Sequence, residues 1–425
     1  ALGSGPLAIG TAATAGNGAR LRMAGFSQSV SALSSGATAN ARVIENFGAA
    51  NSTLTVSQSS DTTYAGFLRD RSTASATATG NLGLVKDGAG TLTLSNVSNQ
   101  YTGATVINGG VLEVSQLTNG GIVKTINSTA ASGTLTMVDT TGVTPGMTLV
   151  AANLPTGFSV STVDSGTALT INTTAGILTG SSTAHFGIAS SLGLSTSVAS
   201  NLVFGGGTLR YTGATNASTD RNFTVNSGQS AKWDVSNAAA TLALAGGAAS
   251  STGGFQKLGA GSLVLAGAQA YTGTTNVTAG VLALGAADRI ADSSTLVLGG
   301  GTFDVNGFSD TLGGLDLDAN GFIDLDNVSS IAGSISFAAS SGLDWSAFSL
   351  SITGTSISSN AIRFGTDSLG LSGGQLAAIT VNGVGGWALD GSGYLTAAIP
   401  EPSSFAALAG LAALAGVGLR RRRRA

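Results

Sequence analysis

Two stretches of the chain, residues 84 to 114 and 255 to 284, repeat one another almost position for position. In the first, Leu84, Lys86, Gly88, Gly90, Leu92 and Leu94 lead to Tyr101, Thr102, Gly103 and Thr105, then to Gly110, Val111, Leu112 and Val114. In the second, Phe255, Lys257, Gly259, Gly261, Leu263 and Leu265 lead to Tyr271, Thr272, Gly273 and Thr275, then to Gly280, Val281, Leu282 and Leu284. A further ladder pairs Leu202, Val203, Gly205, Gly206, Gly207, Thr208 and Leu209 with Leu296, Val297, Gly299, Gly300, Gly301, Thr302 and Phe303. Ladders recurring in one order mean stacked copies of one supersecondary unit. Apolar residues alternate with period two, the rhythm of strands. The glycines between them supply the positive φ or close backbone approach that a corner needs. The expectation is an all-β solenoid with coils of roughly 20 residues, stacked about 4.8 Å apart, with Leu92, Leu94, Leu263 and Leu265 pointing inward. A Gly-rich disordered chain is the alternative, but matched aliphatic ladders with only 9% charged residues do not fit that composition.

At these residues the chain resembles the autotransporter-associated β-strand repeat, also called the passenger-associated transport repeat, of bacterial surface proteins. A looser likeness extends upstream through Gly25, Phe26, Ser27 and Gln28, then Asn46 to Asn51 and Leu54, Thr55 and Val56. The resemblance implies a right-handed parallel β-helix displayed outside the cell. Autotransporters normally finish in a membrane barrel of roughly ten-residue alternating strands. No such series is visible here, so self-translocation is not expected.

The remainder divides by cadence. Residues 1–121 and 189–335 read as solenoid carrying the first and second repeat copies. Residues 122–188 read as a small inserted β module, with Pro145 and Pro155 marking turns or edges rather than central strands. Residues 336–398 read as a C-terminal β cap, which a solenoid end requires. Within it, Leu371 to Ile379 has the spacing of a short helix.

The last segment, 399–425, joins Pro400, Glu401 and Pro402 to an apolar run from Phe405 to Leu419, followed by Arg420, Arg421, Arg422, Arg423 and Arg424. From Ser403 to Leu419 a helix would reach about 25 Å, at the short end of a membrane span. Five arginines directly after it would hold that end in the cytoplasm and place the body on the far side of the inner membrane. A plain tail anchor is one reading. The order of the three elements also closely resembles the PEP-CTERM sorting signal of Gram-negative bacteria, processed near its Pro-Glu-Pro by an exosortase, a membrane transpeptidase. The resemblance implies that Pro400, Glu401 and Pro402 are the recognition motif and that the helix and arginines are discarded. The remaining body would hold 13 Lys and Arg against 20 Asp and Glu, and be mildly acidic. Ala1 begins without Met or a basic leader, so the chain is expected to be a processed or truncated form of an exported protein.

Composition narrows the chemistry. Four Lys and fourteen Arg, five of the latter in the terminal run, leave no distributed basic face for nucleic acid. The lack of Cys removes thiolate chemistry, and a single His, His185, removes sites that need two imidazoles. Gly370, Leu371, Ser372, Gly373 and Gly374 fit the nucleophile-elbow pattern, but no His follows them, so Ser372 is better read as the cap of the short helix. His185 reads as a solvated strand residue. Between Arg289 and Arg363 there is no cation, while Asp304, Asp310, Asp316, Asp318, Asp324 and Asp326 accumulate. Asp316, Asp318, Asn320 and Asp324 reproduce the front half of a Ca²⁺ loop, with Asn327 where a bidentate Glu would be needed. No other cofactor is expected. The leading expectation is an exported, non-enzymatic structural or adhesive surface solenoid, associated with extracellular polysaccharide or biofilm matrix. The alternative is a carbohydrate-active β-helix lyase or hydrolase using acids such as Asp304 and Asp310.

Overall fold

The computed structural model describes residues 4–10, 19–36, 42–71, 78–129, 133–151, 158–172, 181–327, 329, 332–345, 347–355 and 357–398. The chain is a parallel β-solenoid. Three long parallel sheets run along it. The first has six strands, Gln28–Val30, Ser52–Ser57, Leu82–Asp87, Thr105–Ile107, Leu202–Phe204 and Thr224–Val225. The second has nine, Thr62–Tyr64, Thr91–Leu94, Val111–Val114, Thr208–Tyr211, Ser230–Val235, Gly254–Leu258, Thr275–Val277, Leu296–Leu298 and Leu315–Leu317. The third has eight, Ala217–Thr219, Thr241–Leu244, Ser262–Leu265, Val281–Leu284, Thr302–Asp304, Gly321–Asp324, Leu350–Thr353 and Ile379–Val381.

Short strands suit this fold because each needs only two or three inward side chains. Thr91–Leu94 buries Leu92 and Leu94 and leaves its threonines half-exposed, and Ser262–Leu265 does the same with Leu263 and Leu265. Stacking places Leu92 beside Leu112 and Leu263 beside Leu282. Like side chains therefore lie over like, and one apolar column runs from Ile9 to Leu395 without interruption. The coil is shortest where the repeats are clearest, from Ser262 to Val281. It widens toward the ends, where Ser52 pairs with Leu82 and Gly321 with Leu350. Expected coils of roughly 20 residues hold only in the middle.

The two repeat copies have the same internal pairing but lie on different faces. In the first copy Leu84 pairs with Thr105 in the first sheet, and Thr91 with Val111 in the second. In the second copy Phe255 pairs with Thr275 in the second sheet, and Ser262 with Val281 in the third. The changeover lies at Ser230–Val235, which pairs with Thr208–Tyr211 on one side and Gly254–Leu258 on the other. There the first sheet ends and the third has just begun.

Between the copies the chain leaves the rod and forms a closed six-stranded antiparallel barrel. Its strands are Ile122–Thr129, Thr134–Met137, Thr148–Ala151, Phe158–Ser165, Ala168–Ile171 and Ser182–Gly187. Leu135, Leu149, Leu169 and Phe186 fill it, as a core separate from that of the rod. The rod passes the insertion without a gap, because Thr105 pairs onward with Leu202 and Val111 with Thr208.

Within residues 336–398 the parallel rungs continue through Leu350–Thr353, Ile362–Phe364 and Ile379–Val381. Most of the stretch read as a cap is therefore further solenoid, because Leu350, Ile352, Ile379 and Val381 keep the inward alternation. The hairpin of Trp387–Leu389 and Leu395–Ala397 is antiparallel, and its turn closes on the rung of Ile362–Phe364 through Phe364 N–H to the Gly393 carbonyl at 2.8 Å. The helix is a single turn, Gly373–Ala377, with Ser372 as N-cap in a reciprocal capping box with Gln375.

Candidate functional site

The repeated polar residues build the same corner twice. Lys86 Nζ donates to the carbonyls of Asp87 (2.7 Å), Gly88 (2.9 Å) and Gly109 (3.0 Å). Lys257 Nζ donates to those of Leu258 (2.7 Å), Gly259 (2.8 Å) and Ala279 (3.1 Å). Two acceptors belong to the lysine's own coil and the third to the next, so each ammonium staples coil to coil. All three protons are used, which is the condition for burying the charge. Burial lowers the proton affinity of both lysines, that of Lys257 to about 8. Gly88 and Gly259 turn the corner at φ of +73° and +74°. A Cβ at Gly90 or Gly261 would collide with the Ser60 or Asn237 carbonyl of the preceding coil. Tyr101 and Tyr271 are fully buried, with hydroxyls 2.8 Å from Thr105 Oγ1 and Thr275 Oγ1. Burial pushes the Tyr101 phenol up to about 12 and that of Tyr271 higher still. The lysine, tyrosine and glycine positions of the repeat therefore build the interior and its corners.

Charges on the flanks pair from rung to rung. Arg210 bridges Asp234 (2.7 Å) on the next rung and Glu113 (3.3 Å) on the preceding one. Near the start, buried Glu45 collects Arg20 and Arg22 from the rung on one side and Arg69 from the rung on the other. Such pairs favour one register over its slipped alternatives.

The acidic stretch does not converge. Asp316 lies on the second sheet and Asp324 on the third, with Asp318 exposed at the corner between them. Asn320 Oδ1 instead accepts from Ser349 N–H (3.1 Å), tying one coil to the next. Among the described residues no group of three or more His, Asp or Glu side chains comes together to hold a metal. Asp304 Oδ1 accepts from Asn306 N–H and Asp324 Oδ1 from Asp326 N–H, the same turn on adjacent rungs. Burial raises Asp304 to about 6, with the Asp324 carboxylate adding to the shift. Asp310, also raised by burial to about 6, accepts from the backbone of Arg289 and Ile290.

His185 stands on the barrel strand Ser182–Gly187, half-buried against the rod rather than solvated. It faces Asp70 and Arg71. Sequence reasoning did not find this grouping, because residues more than a hundred positions apart meet only once the barrel folds back. It likewise missed Arg221, which fastens the insertion. Its guanidinium donates to the carbonyls of Thr118 (3.2 Å), where the chain leaves the rod, and of Gly193 (2.8 Å) and Ser195 (3.0 Å), where it returns. A further bond goes to Ser195 Oγ (2.7 Å).

Pro400, Glu401, Pro402, the run Phe405 to Leu419 and Arg420 to Arg424 lie outside the described residues. Among the described residues no helix is long and apolar enough to cross a membrane.

Comparison with known proteins matches the passenger-associated transport repeat at residues 84–114 and 255–284, the two stretches that build the lysine-stapled corners. It matches the PEP-CTERM protein-sorting motif at 398–423. The chain is 35% identical over 240 residues to the Adhesin BmaC autotransporter of Brucella suis biovar 1 (strain 1330). The match takes in 47% of this chain but only 7% of the length of that adhesin. No solved structure matches. The chain thus carries two passenger-associated transport repeats and a PEP-CTERM protein-sorting motif.

Proposed function

We propose that the protein is a non-enzymatic adhesive rod of the Gram-negative cell surface, associated with extracellular polysaccharide or biofilm matrix. Its tail would hold the precursor in the inner membrane through Phe405 to Leu419, with Arg420 to Arg424 on the cytoplasmic side. An exosortase-type enzyme would then act near Pro400, Glu401 and Pro402 and release the body to the surface or beyond. The observation that carries this reading is the union, in one chain, of stacked passenger-type repeats with a sorting motif. Its likeness to an adhesin supports it. The outer columns also support it. Thr91, Val111, Thr208, Lys232, Gln256 and Asn276 stand in register on successive rungs of the second sheet, an outward column that is polar at all but Val111 and suited to weak multivalent contact.

The test is expression of the full chain in a host with and without an exosortase-type enzyme. Intact mass of the surface fraction should show loss of the arginine run only where the enzyme is present, and Glu401→Ala should abolish that loss. Cells displaying the rod should attach to polysaccharide-coated surfaces more than cells lacking it. Release of reducing or unsaturated sugars, lost on Asp304→Asn, would overturn the non-enzymatic reading.

A further inference from the structure

Where the barrel folds back on the rod, a cleft of about 480 Å³ lies between them. Asp70, Arg71 and Thr102 line it from the rod, and Ser182, Thr183 and His185 from the barrel. The volume lies in the range of small-molecule sites at the junctions of folded units.

Its hydrogen bonding is incomplete in a specific way. Asp70, fully buried, is satisfied by Leu82 N–H (2.8 Å), Thr102 N–H (3.1 Å) and Thr102 Oγ1 (2.7 Å). Arg71 is 3% exposed, yet its Nε has no partner. His185 Nδ1 is buried and also has none. Two unsatisfied buried groups at one cleft are costly. Burial lowers the proton affinity of the imidazole, against a smaller opposite effect of the Leu194 backbone, so the neutral ring is favoured. With its proton on Nε2, the neutral ring presents a lone pair at Nδ1. The cleft thus offers one unused donor and one unused acceptor, surrounded by hydroxyls. Asp70 lies beside Arg71 and opposes the guanidinium charge, although burial raises its own proton affinity, so the guanidinium is not left unopposed as in an anion trap.

A ligand that both accepts and donates on neighbouring atoms, without net charge, meets these terms, and vicinal sugar hydroxyls do so. We propose that the cleft between barrel and rod binds a neutral saccharide residue, one hydroxyl accepting from Arg71 Nε and its neighbour donating to His185 Nδ1. The proposal rests on the adhesive reading and gives it a specific contact. It is a binding site, with no bond made or broken.

The test is saturation-transfer NMR and titration of the full chain with the methyl glycosides of glucose, galactose and mannose, with glucuronate and inorganic phosphate as charged controls. At least one neutral glycoside should bind saturably. Arg71→Met should weaken it at least tenfold. Because Arg71 is buried and its loss could disturb folding, Thr183→Trp serves as a second variant. Thr183 is exposed at the mouth of the cleft, and the indole should block entry with an equal loss of binding and an unchanged melting temperature. Three results would overturn the proposal: no saturable glycoside binding, binding indifferent to both substitutions, or tighter binding of glucuronate or phosphate. Loss of the site with cell attachment intact removes this inference alone, whereas glycoside binding without attachment removes the adhesive reading.

Discussion

The rod and the barrel solve one problem, the satisfaction of strand edges, in opposite ways. The barrel closes on itself, so each of its six antiparallel strands has two neighbours and its core is complete within 122–187. The rod never closes. Each rung depends on the next for hydrogen bonds, for the lining of its core and for the acceptors of its buried lysines. The difference explains how one can be inserted into the other. A self-contained barrel asks the rod only for two adjacent attachment points, and the corner after Val111–Val114 supplies them while the rungs on either side remain paired.

Substitutions should separate the two regions, and the largest effect is expected where they join. Arg221→Ala strands three carbonyls at once, a loss of about 4 kcal/mol or more. Hydrogen exchange should rise at Thr118 and at Gly193 to Ser195 before it rises in either core. If protection there is unchanged, the stitch is not what fastens the insertion. Lys257→Met removes the staple but keeps its apolar stem, and should cost the rod about 4 kcal/mol through the three carbonyls it abandons. Urea unfolding followed at Trp233, which is in the rod core, should report the loss. The barrel should hold its protection. Leu169→Ala should do the reverse, costing the barrel about 3 kcal/mol and leaving the Trp233 transition in place. Coincident shifts would show that rod and barrel unfold as one unit.

The smallest effect is one of pH. Burial raises Asp304 in the folded rod to about 6, above its ordinary 3.8. The folded state therefore binds this proton more tightly than the unfolded chain. The resulting stability is complete below the ordinary value and is lost as pH rises through about 6. The rod should melt higher at pH 4.5 than at pH 7. Asp304→Asn should gain about 1 kcal/mol at neutral pH, allowing for partial solvent screening, and should flatten part of the slope. Asp310, raised to about 6 by the same cause, should account for part of what remains. A rod whose melting temperature rises steadily from pH 4.5 to 7 would contradict the sign.

How much of this was legible in the sequence follows from where each signal lies. Alternation at Leu92 and Leu94, with glycine at fixed offsets, is local information, and it was enough for the solenoid. The Lys86 and Lys257 staples were visible as matched letters, but their role depends on Gly109 and Ala279 of the next coil. The shift of the repeat by one face was not legible, because both copies keep identical internal spacing and only the chain between them, at Ser230–Val235, carries the change. The rungs at Leu350–Thr353 and Ile379–Val381 escaped because wide coils dilute the rhythm. In the acidic stretch, close spacing in sequence puts Asp316 and Asp324 on different sheets of the solenoid, whereas a loop between helices would gather them.

The central claim is that both repeat copies are layers of one rod with the barrel held to its side. Electron–electron distance measurement between spin labels at Thr91→Cys and Asp316→Cys tests it most directly, since the chain has no native Cys. These positions stand in one outward column of the nine-stranded sheet, seven strand steps apart. At roughly 4.8 Å per step the labels should lie about 34 Å apart in a single narrow distribution. A broad distribution, or a distance beyond roughly 50 Å, would mean that the two copies are not stacked in one rod.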